Sequence, residues 1–305
     1  MTAQPRPREP DWGGLAYVGL AVAFFSTSPV LTRLAAPHSP FEITFGRMAV
    51  SAVCVLLLAR LRGVPLGFRA DEIGRFAFYG LVTAAHFLFY IWSLQLTTIA
   101  HALALVYTAP IFVTVFAGVV LGERIDRRRY LGIPLVLLGV AVLSRFETRL
   151  DMRMAAGDGL AMCSAIAFGL YSIAGRHERD RQPLLRYAGG VYAAAAIWLL
   201  PLALLTATGW HGLAPALAVV GLGVLPAGVG HTLYNASLRR VHPTFVNLIA
   251  TQEVTGGVLL GALLLGEVPG TAALAGVALM LLGIAIVLVP WESRRAALTA
   301  GGEVT

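Results

Sequence analysis

The sequence of residues 121–139, LGERIDRRRYLGIPLVLLG, is similar to that of residues 265–283, LGEVPGTAALAGVALMLLG. Both stretches open on Leu-Gly-Glu, and the second begins 144 residues after the first. The same offset superimposes further pairs, namely Gly132 on Gly276, Leu138-Gly139 on Leu282-Gly283, Tyr90 on Tyr234, Ser93-Leu94 on Ser237-Leu238, and Ala23-Phe24 on Ala167-Phe168. One offset without gaps across most of each half indicates an internal repeat.

The composition around this repeat is that of a membrane protein. Of the 305 residues 57% are apolar and 13% are charged, and the mean hydropathy is +0.76. Soluble domains carry about 25% charged residues. A helix needs about 17 to 25 mostly apolar residues to cross a bilayer. We therefore predict an all-α integral membrane protein of ten transmembrane helices, the fifth being the shortest. They span approximately 14–34, 42–60, 76–95, 101–121, 131–145, 158–175, 187–206, 214–236, 244–265 and 271–290.

Arginine positions between these segments predict the orientation of the chain. Eighteen of the 23 arginines share one side of the membrane, three lie on the other, and Arg33 and Arg47 lie within helices. Because positively charged loops stay in the cytoplasm, both termini are predicted there, with the chain in the inner membrane of the cell. The cytoplasmic set is Arg6, Arg8, Arg60, Arg62, Arg69, Arg75, Arg124, Arg127, Arg128, Arg129, Arg176, Arg179, Arg181, Arg186, Arg239, Arg240, Arg294 and Arg295; the outer set is Arg145, Arg149 and Arg153.

The loop charges also predict that the two repeats are inverted. Five helices per repeat is an odd number, so the second copy must enter the membrane from the opposite side. The arginine-rich loops 60–75 and 124–129 correspond to 207–213 and 266–270, which contain no arginine. Conversely, the arginine-free loops 35–41 and 96–100 correspond to 176–186 and 237–243, which contain four and two. Each pair changes sides, as inverted repeats require.

These spans divide the chain into five parts. We predict a cytoplasmic tail over 1–13, a first five-helix repeat over 14–145, a periplasmic linker over 146–157, a second and inverted repeat over 158–290, and a cytoplasmic tail over 291–305.

The charged and sulfur-containing residues exclude several functions. All 23 basic residues are arginine, so the chain lacks the lysine of a phosphate-binding loop, which excludes an ATP-driven pump within it. The net charge of +7 comes from short clusters rather than from a continuous basic face, which argues against a nucleic-acid partner. Cys54 and Cys163 lie in apolar runs, where a thiol is usually a small buried hydrophobe. We expect neither a metal nor another cofactor.

The repeated pattern resembles the drug/metabolite transporter superfamily, and within it the EamA family of ten-helix permeases. The resemblance covers about residues 14–290 and is carried by Ala102, Thr108-Ala109-Pro110-Ile111-Phe112, Leu121-Gly122-Glu123-Arg124, Pro243, Gln252-Glu253, Leu265-Gly266-Glu267 and the paired glycines above. Arg47 resembles an arginine typical of the second helix of that family. The chain departs from it at Phe24-Phe25-Ser26, where Trp-Gly is frequent, and at Glu253-Val254, where Glu-Pro is usual.

The resemblance implies a transporter with a central cavity between the repeats, lined mainly by helices one, three, four, six, eight and nine. Family members export amino acids and related metabolites, or import small solutes. The Leu-Gly-Glu motif is expected to end a span and open a turn, with its carboxylate in solvent.

Charged groups inside a span are costly and therefore suggest function. Glu253, in a run with Asn247 and Gln252, is the only acid predicted deep within a span. It could couple transport to protons or bind a substrate amine; alternatively it is a structural carboxyl held by a neighbouring helix. Arg47 could neutralise a substrate carboxylate, but its position near a helix end favours a structural role in which the side chain snorkels to the interface.

Histidines, tyrosines and hydroxyls complete the candidate site. His86 and His231 lie in equivalent helices, one position out of register, and could relay protons, although a satisfied buried histidine is the commoner outcome. Four tyrosines within spans could stack on an organic substrate: Tyr90, Tyr107, Tyr171 and Tyr234. Ser26 and Ser28 precede Pro29 in the first helix, which suits either a kink facing the cavity or an ordinary membrane kink.

Together these features predict a secondary transporter that works by alternating access on a small polar metabolite, an amino acid or a related compound, in the direction of export. Protons are the suggested coupling ion, the lipid bilayer is the surrounding partner, and a homo-oligomer is left open. One alternative is a small-cation or multidrug exporter, whose four-helix relatives use an acid in the first helix that this chain lacks. A membrane-embedded enzyme is disfavoured because no cluster of His, Cys and Asp has ligand spacing.

Overall fold

A computed structural model describes residues 11–121, 131–145, 151–178, 181–241, 246 and 249–288 of the chain. Every regular element in these ranges is helical. In chain order the helices are α1 (Trp12–Phe25), α2 (Ser28–Leu34), α3 (Pro40–Leu61), α4 (Ala70–Leu96), α5 (Ile99–Val106), α6 (Ala109–Leu121), α7 (Gly132–Arg145), α8 (Met152–Glu178), α9 (Leu184–Leu205), α10 (Leu213–Leu222), a π-helical segment (Gly223–His231), α11 (Thr232–Leu238), α12 (Glu253–Leu265) and α13 (Thr271–Leu288).

Within the described residues, six continuous or nearly continuous helical stretches are long and apolar enough to cross a membrane. They are Trp12–Leu34, Pro40–Leu61, Ala70–Leu96, Met152–Glu178, Leu184–Leu205 and Leu213–Leu238. Shorter apolar helices run over Ile99–Val113, Glu253–Leu265 and Leu274–Gly283. The predicted all-helical membrane fold is therefore confirmed, whereas the count of ten spans and the repeat stay predictions. Residues 1–10, 146–150 and 289–305 lie outside the described residues, and residues 152–157 of the predicted linker belong to α8.

Several helices of the described bundle are interrupted. The helical path breaks at Thr27 between α1 and α2, at Tyr107-Thr108 between α5 and α6, and at Thr251-Gln252 before α12. Between α10 and α11 the chain widens into the π-helical segment, which contains Pro226. Proline cannot donate a backbone hydrogen bond, so a proline within a helix disturbs the regular pattern of hydrogen bonds. Backbone N–H groups at the first three breaks remain hydrogen-bonded within their own segments, as in Thr27 to Phe24, Thr108 to Leu105 and Gln252 to Ile249.

Helices α7 and α13 pack closely because glycines face each other across the contact. A Cβ built on Gly139 would lie 2.5 Å from Met280 Cγ and 2.8 Å from the carbonyl oxygen of Gly276. A Cβ built on Gly283 would lie 2.7 Å from Val136 Cγ2 and 2.8 Å from the carbonyl oxygen of Gly132. Small residues permit this approach of two backbones within a membrane.

We expect Gly139→Ala to destabilise the protein by about 1–3 kcal/mol, because the new methyl group meets backbone atoms that cannot move aside cheaply. Gly19→Ala is the matched control, since a Cβ there meets no atom within 4 Å. That substitution should be neutral or stabilising by up to about 1 kcal/mol, since alanine has the higher helix propensity. Thermal unfolding of the two purified variants in the same detergent distinguishes them. Equal unfolding temperatures would contradict the tight contact.

Candidate functional site

A small cavity lies where the interrupted helices meet. It is lined by Phe25, Ser28, Arg47, His86, Phe87, Tyr90, Val106, Tyr107, Phe168, His231 and Glu253. Seven of these residues were predicted from the sequence as site residues. The cavity has a volume of about 20 Å³, which is room for roughly one water molecule. An organic substrate can bind here only if the surrounding helices move apart.

Glu253 supplies the negative charge of the cavity. It is the first residue of α12, directly after the break at Thr251-Gln252, and only 6% of its surface is exposed. The Tyr90 hydroxyl donates a hydrogen bond to Oε1 over 3.2 Å, and the Tyr107 hydroxyl donates to Oε2. Two tyrosines from different helices therefore fix the carboxylate at the centre of the bundle.

Arg47 supplies the positive charge. Its Nη1 donates to the Ser28 hydroxyl over 3.1 Å, and its guanidinium carbon lies 4.3 Å from the centroid of the Phe87 ring. Its Nε has no hydrogen-bond partner, and no carboxylate in the described part of the chain lies within ion-pair distance of it. Since the residue is only 1% exposed, the prediction that it snorkels to the interface is wrong. The guanidinium points into the bundle because Ser28 and Phe87 hold it there.

His86 and His231 lie on the same wall of the cavity, with ring centroids 6.5 Å apart. His86 Nδ1 contacts the hydroxyl of Ser164 at 2.9 Å, whereas His231 Nδ1 has no hydrogen-bond partner. A π-helical turn accommodates one more residue than an α-helical turn. His231 ends the π-helical segment, whereas His86 lies within the regular helix α4.

Tyr171 and Tyr234 lie just outside the cavity. Their ring centroids are 6.0 and 6.2 Å from that of His231. Asn235, which the sequence analysis did not select, donates from Nδ2 to the Tyr171 hydroxyl over 2.9 Å. The sequence offered only a weak signal for Asn235, a buried amide one residue after Tyr234.

The remaining predicted residues lie elsewhere. The Ser26 hydroxyl donates to the backbone oxygen of Val22 in its own helix and does not line the cavity. The Gln252 side chain is exposed and accepts from Thr255. Asn247 lies outside the described residues. Four lining residues were missed, namely Phe25, Phe87, Val106 and Phe168, although Phe25 is part of the departure from the family pattern in the first helix.

One end of the bundle, here called the Arg33 end, is formed by residues 35–39, 97–98, 206–212 and 266–270. Arg33 Nη2 lies 3.0 Å from Glu267 Oε2 and donates to the backbone oxygen of Thr97 over 2.8 Å. Glu267 also accepts from the backbone N–H of Ile99. The prediction of a solvated carboxylate after Leu265-Gly266 is therefore wrong, because that carboxylate ties α2 to the start of α5. The equivalent Glu123 lies outside the described residues.

A larger cavity near the Arg33 end does not contain the central charges. Its volume is about 350 Å³, and it is lined by His38, Glu42, Phe45, Leu200, Ala203, Leu204, Ala207, Ala216 and Val219. Its acid, Glu42, already accepts from Ser39 and Thr208. The smaller central cavity is the better candidate site, because it combines an acid with a buried arginine whose Nε has no hydrogen-bond partner.

Cys54 and Cys163 are unpaired and exposed on the outside of the bundle, so the expectation that they are buried is wrong. In a membrane protein a thiol is as stable in contact with lipid as in the protein core, because it behaves as a small hydrophobic group. Among the described residues, no three His, Cys, Asp or Glu side chains are grouped to hold a metal ion.

This chain is similar to known proteins in its family pattern, in its sequence and in its fold. The pattern of the EamA-like transporter family matches residues 12–145 and again 155–289. A probable terminal-alkyne amino-acid exporter of Streptantibioticus cattleyicolor is 27% identical over 258 residues, which is 80% of this chain and 82% of that protein. The aromatic amino acid exporter YddG of Ancylobacter novellus is 27% identical over 224 residues, 72% of this chain and 77% of that protein.

A solved crystal structure shares the fold. Its TM-score is 0.69 at 23% identity, over 93% of this chain and 98% of the other. Because the family match covers both halves, the expectation of a multi-pass membrane transporter rather than an enzyme is confirmed. The chain belongs to the EamA-like transporter family.

Proposed function

We propose that this protein is a secondary transporter that exports an amino acid or a related zwitterionic metabolite by alternating access. One observation carries the proposal: Arg47 and Glu253 line the same enclosed cavity but do not form an ion pair with each other among the contacts of the described residues. A buried charge without an opposite charge is costly. A substrate with an ammonium and a carboxylate group would give each of them a partner.

The two similar exporters support this substrate class, because both are named for amino acids. A small-cation or multidrug exporter is the alternative. A cation would satisfy Glu253 but would place a second positive charge beside Arg47. The buried guanidinium therefore favours a substrate that also carries a negative group.

The contact between α7 and α13 supports two inverted five-helix repeats. Gly139 meets residues 276 and 280, and Gly283 meets residues 132 and 136, so the contact is reciprocal at the offset of 144. The two helices run antiparallel, since 139 lies beside 276 and 132 beside 283. Equivalent helices pack antiparallel when a twofold axis lies in the membrane plane. The breaks at 107–108 and 251–252 are related by the same offset.

In this arrangement the ten spans lie in the inner membrane with both termini in the cytoplasm, and the Arg33 end faces outward. The cavity then lies at the depth where inverted-repeat transporters bind their substrates. The contacts of Arg33 with Glu267 and Thr97 hold the outer end closed. Export requires these contacts to break after substrate enters from the cytoplasm.

We expect Glu267→Gln to open the outer end more often. Hydrogen bonds to charged groups are worth about 1.5–3 kcal/mol, so the open population should rise by roughly tenfold or more. The measurement is the rate at which a membrane-impermeant thiol reagent, applied outside, labels a cysteine at Ser28 in a background lacking Cys54 and Cys163. Arg69→Gln is the control, because its pair with Asp71 is largely exposed. Equal labelling rates in the two variants would contradict the closure.

The proposed activity is tested with purified protein in liposomes. We expect uptake of one or more isotope-labelled protein amino acids, driven by an imposed pH gradient and absent from protein-free liposomes. All the amino acids are supplied together, and mass spectrometry of the liposome contents identifies which of them has been taken up. If none is taken up while an organic cation is, the alternative is correct.

A further inference from the structure

Buried polar groups continue from the central cavity toward the end of the bundle opposite Arg33. We propose that Tyr171, Asn235, Tyr187, Tyr79 and Glu178, here called the polar track, together with bridging waters, carry protons between Glu253 and solvent beside Arg75. The proposal rests on the proposed function in one respect, that Glu253 takes up and releases a proton during transport. None of Tyr79, Glu178, Tyr187 and Asn235 was selected from the sequence.

The track begins at the cavity wall. The Tyr171 ring centroid is 6.4 Å from that of His86 and 6.0 Å from that of His231, and both histidines line the cavity. The Tyr171 hydroxyl accepts a hydrogen bond from Asn235 over 2.9 Å. A polar route therefore leaves the cavity between α8 and α11.

The middle of the track passes a glycine in α8. A Cβ built on Gly175 would lie 3.3 Å from Asn235 Oδ1 and 3.5 Å from the Tyr187 hydroxyl. Asn235 Oδ1 and the Tyr187 hydroxyl therefore lie close to the same position beside Gly175, and one or two water molecules are enough to bridge them. Any residue larger than glycine would occupy the space between them.

The track ends at a buried carboxylate. The Tyr187 ring centroid lies 6.4 Å from that of Tyr79, whose hydroxyl donates to Glu178 Oε1 over 3.0 Å. The Glu178 side chain is fully buried, while its partner Arg75, 3.4 Å away, has a side chain that is 35% exposed. The partly exposed side chain of Arg75 therefore lies between a proton on Glu178 and solvent.

Several buried polar atoms without a partner among the described residues lie on or beside this track, including His231 Nδ1, Ser172 Oγ, the Tyr187 hydroxyl and Glu178 Oε2; others, such as Thr32 Oγ1, lie elsewhere. Buried polar atoms are nearly always hydrogen-bonded, to protein or to ordered water. A phenylalanine at 187 would fill the same volume without the cost of a desolvated hydroxyl. The hydroxyl is therefore best explained by a chain of waters that it helps to order.

Among the described residues, Glu178 faces Arg75 and Tyr79 from α4 and Tyr187 from α9. Arg181, just beyond α8, lies near Tyr79. Glu253 faces Arg47 from α3, Tyr90 from α4 and Tyr107 from the break after α5.

The transfer conserves protons and changes no oxidation state. The O–H bond of protonated Glu253 breaks, and each water or hydroxyl accepts one proton as it gives up another. Glu178 then releases a proton to solvent.

The intramembrane position of these groups is typical of proton pathways. At the Arg33 end, by contrast, Arg33 and Glu267 bond directly to each other.

The test follows Glu253 itself and needs no substrate. Protein in lipid nanodiscs is subjected to a pH jump, and the carboxyl stretch assigned to Glu253, by its loss in Glu253→Gln, is followed by time-resolved infrared spectroscopy. We expect Tyr187→Phe and Glu178→Gln to slow the response by at least about tenfold, as expected when a positioned proton-transfer group is removed. Tyr79→Phe, which keeps the pair of Glu178 with Arg75, should slow it as well.

Glu72→Gln is the matched control. Glu72 is a buried carboxylate at the same end of the bundle, and its side chain bonds to Arg186, over 2.6 Å, and to Gln182 rather than to a track residue. Its variant should respond like the unmodified protein. If Tyr187→Phe and Glu178→Gln respond as fast as the control, or if no Glu253 band follows the pH jump, the relay is wrong. Failure of the proposed function is seen separately, as absence of amino-acid uptake by the unmodified protein.

Discussion

Glu253→Gln is expected to reduce pH-driven uptake by about a hundredfold, because removing one member of a desolvated charge pair costs 2–5 kcal/mol. Glutamine has nearly the same shape as glutamate. Its carbonyl oxygen can accept from one of the two tyrosines and its amide nitrogen can donate to the oxygen of the other, so the cavity should keep its form. It carries neither a negative charge for a substrate ammonium nor a proton to exchange. The residual uptake should also lose its dependence on the pH gradient.

Two further variants distinguish the effect of losing the charge of Glu253 from the effect of disturbing the structure around it. Tyr107→Phe removes one hydrogen bond to Glu253 but keeps the carboxylate, and should have a smaller effect. Glu42→Gln alters an acid outside the central cavity and should leave uptake close to that of the unmodified protein. Uptake is measured in liposomes with equal amounts of folded protein. A Glu253→Gln protein with unchanged rate and unchanged pH dependence would show that Glu253 is a structural carboxyl.

Arg47→Gln is expected to raise the substrate concentration for half-maximal uptake by about a hundredfold, since it removes the positive charge from a buried site. Arg47→Lys keeps the charge but loses the planar fork that can bind both oxygens of a carboxylate. It should therefore fall between Arg47→Gln and the unmodified protein. Concentration series of labelled substrate in liposomes give the values.

The alternative explanation for an Arg47 effect is a loss of structure, since the guanidinium also packs on Phe87 and bonds to Ser28. Thermal unfolding of each variant controls for this. Arg69→Gln, at an exposed arginine, should alter neither stability nor uptake. If Arg47→Gln folds normally and transports with unchanged half-saturation, the guanidinium does not bind substrate.

The helices and the central charges could be predicted from the sequence because both follow from the cost of polar groups in a membrane. Apolar runs had to be helical, and Glu253 and Arg47 stood out as charges within them. The orientation of Arg47 could not be predicted, because a long side chain near a helix end can point either way. Its direction depends on Ser28 and Phe87, which come from other helices.

Other parts of the site depend on contacts between distant segments. Glu267 pairs with Arg33, 234 residues away in the sequence, and no local pattern distinguishes that carboxylate from a solvated one. The π-helical segment was not foreseen either, although Pro226 lies within it. The polar track joins α4, α8, α9 and α11, and its residues are ordinary within each helix taken alone.

Competition by substrate analogues tests most directly whether Arg47 and Glu253 hold opposite ends of one substrate. The amino acid identified by the screen is competed with its decarboxylated amine and with its deaminated acid, in unmodified protein, Arg47→Gln and Glu253→Gln. We predict that Arg47→Gln weakens competition by the acid far more than by the amine, and that Glu253→Gln does the reverse. Equal weakening of both analogues in both variants would contradict the assignment of the two charges to one substrate.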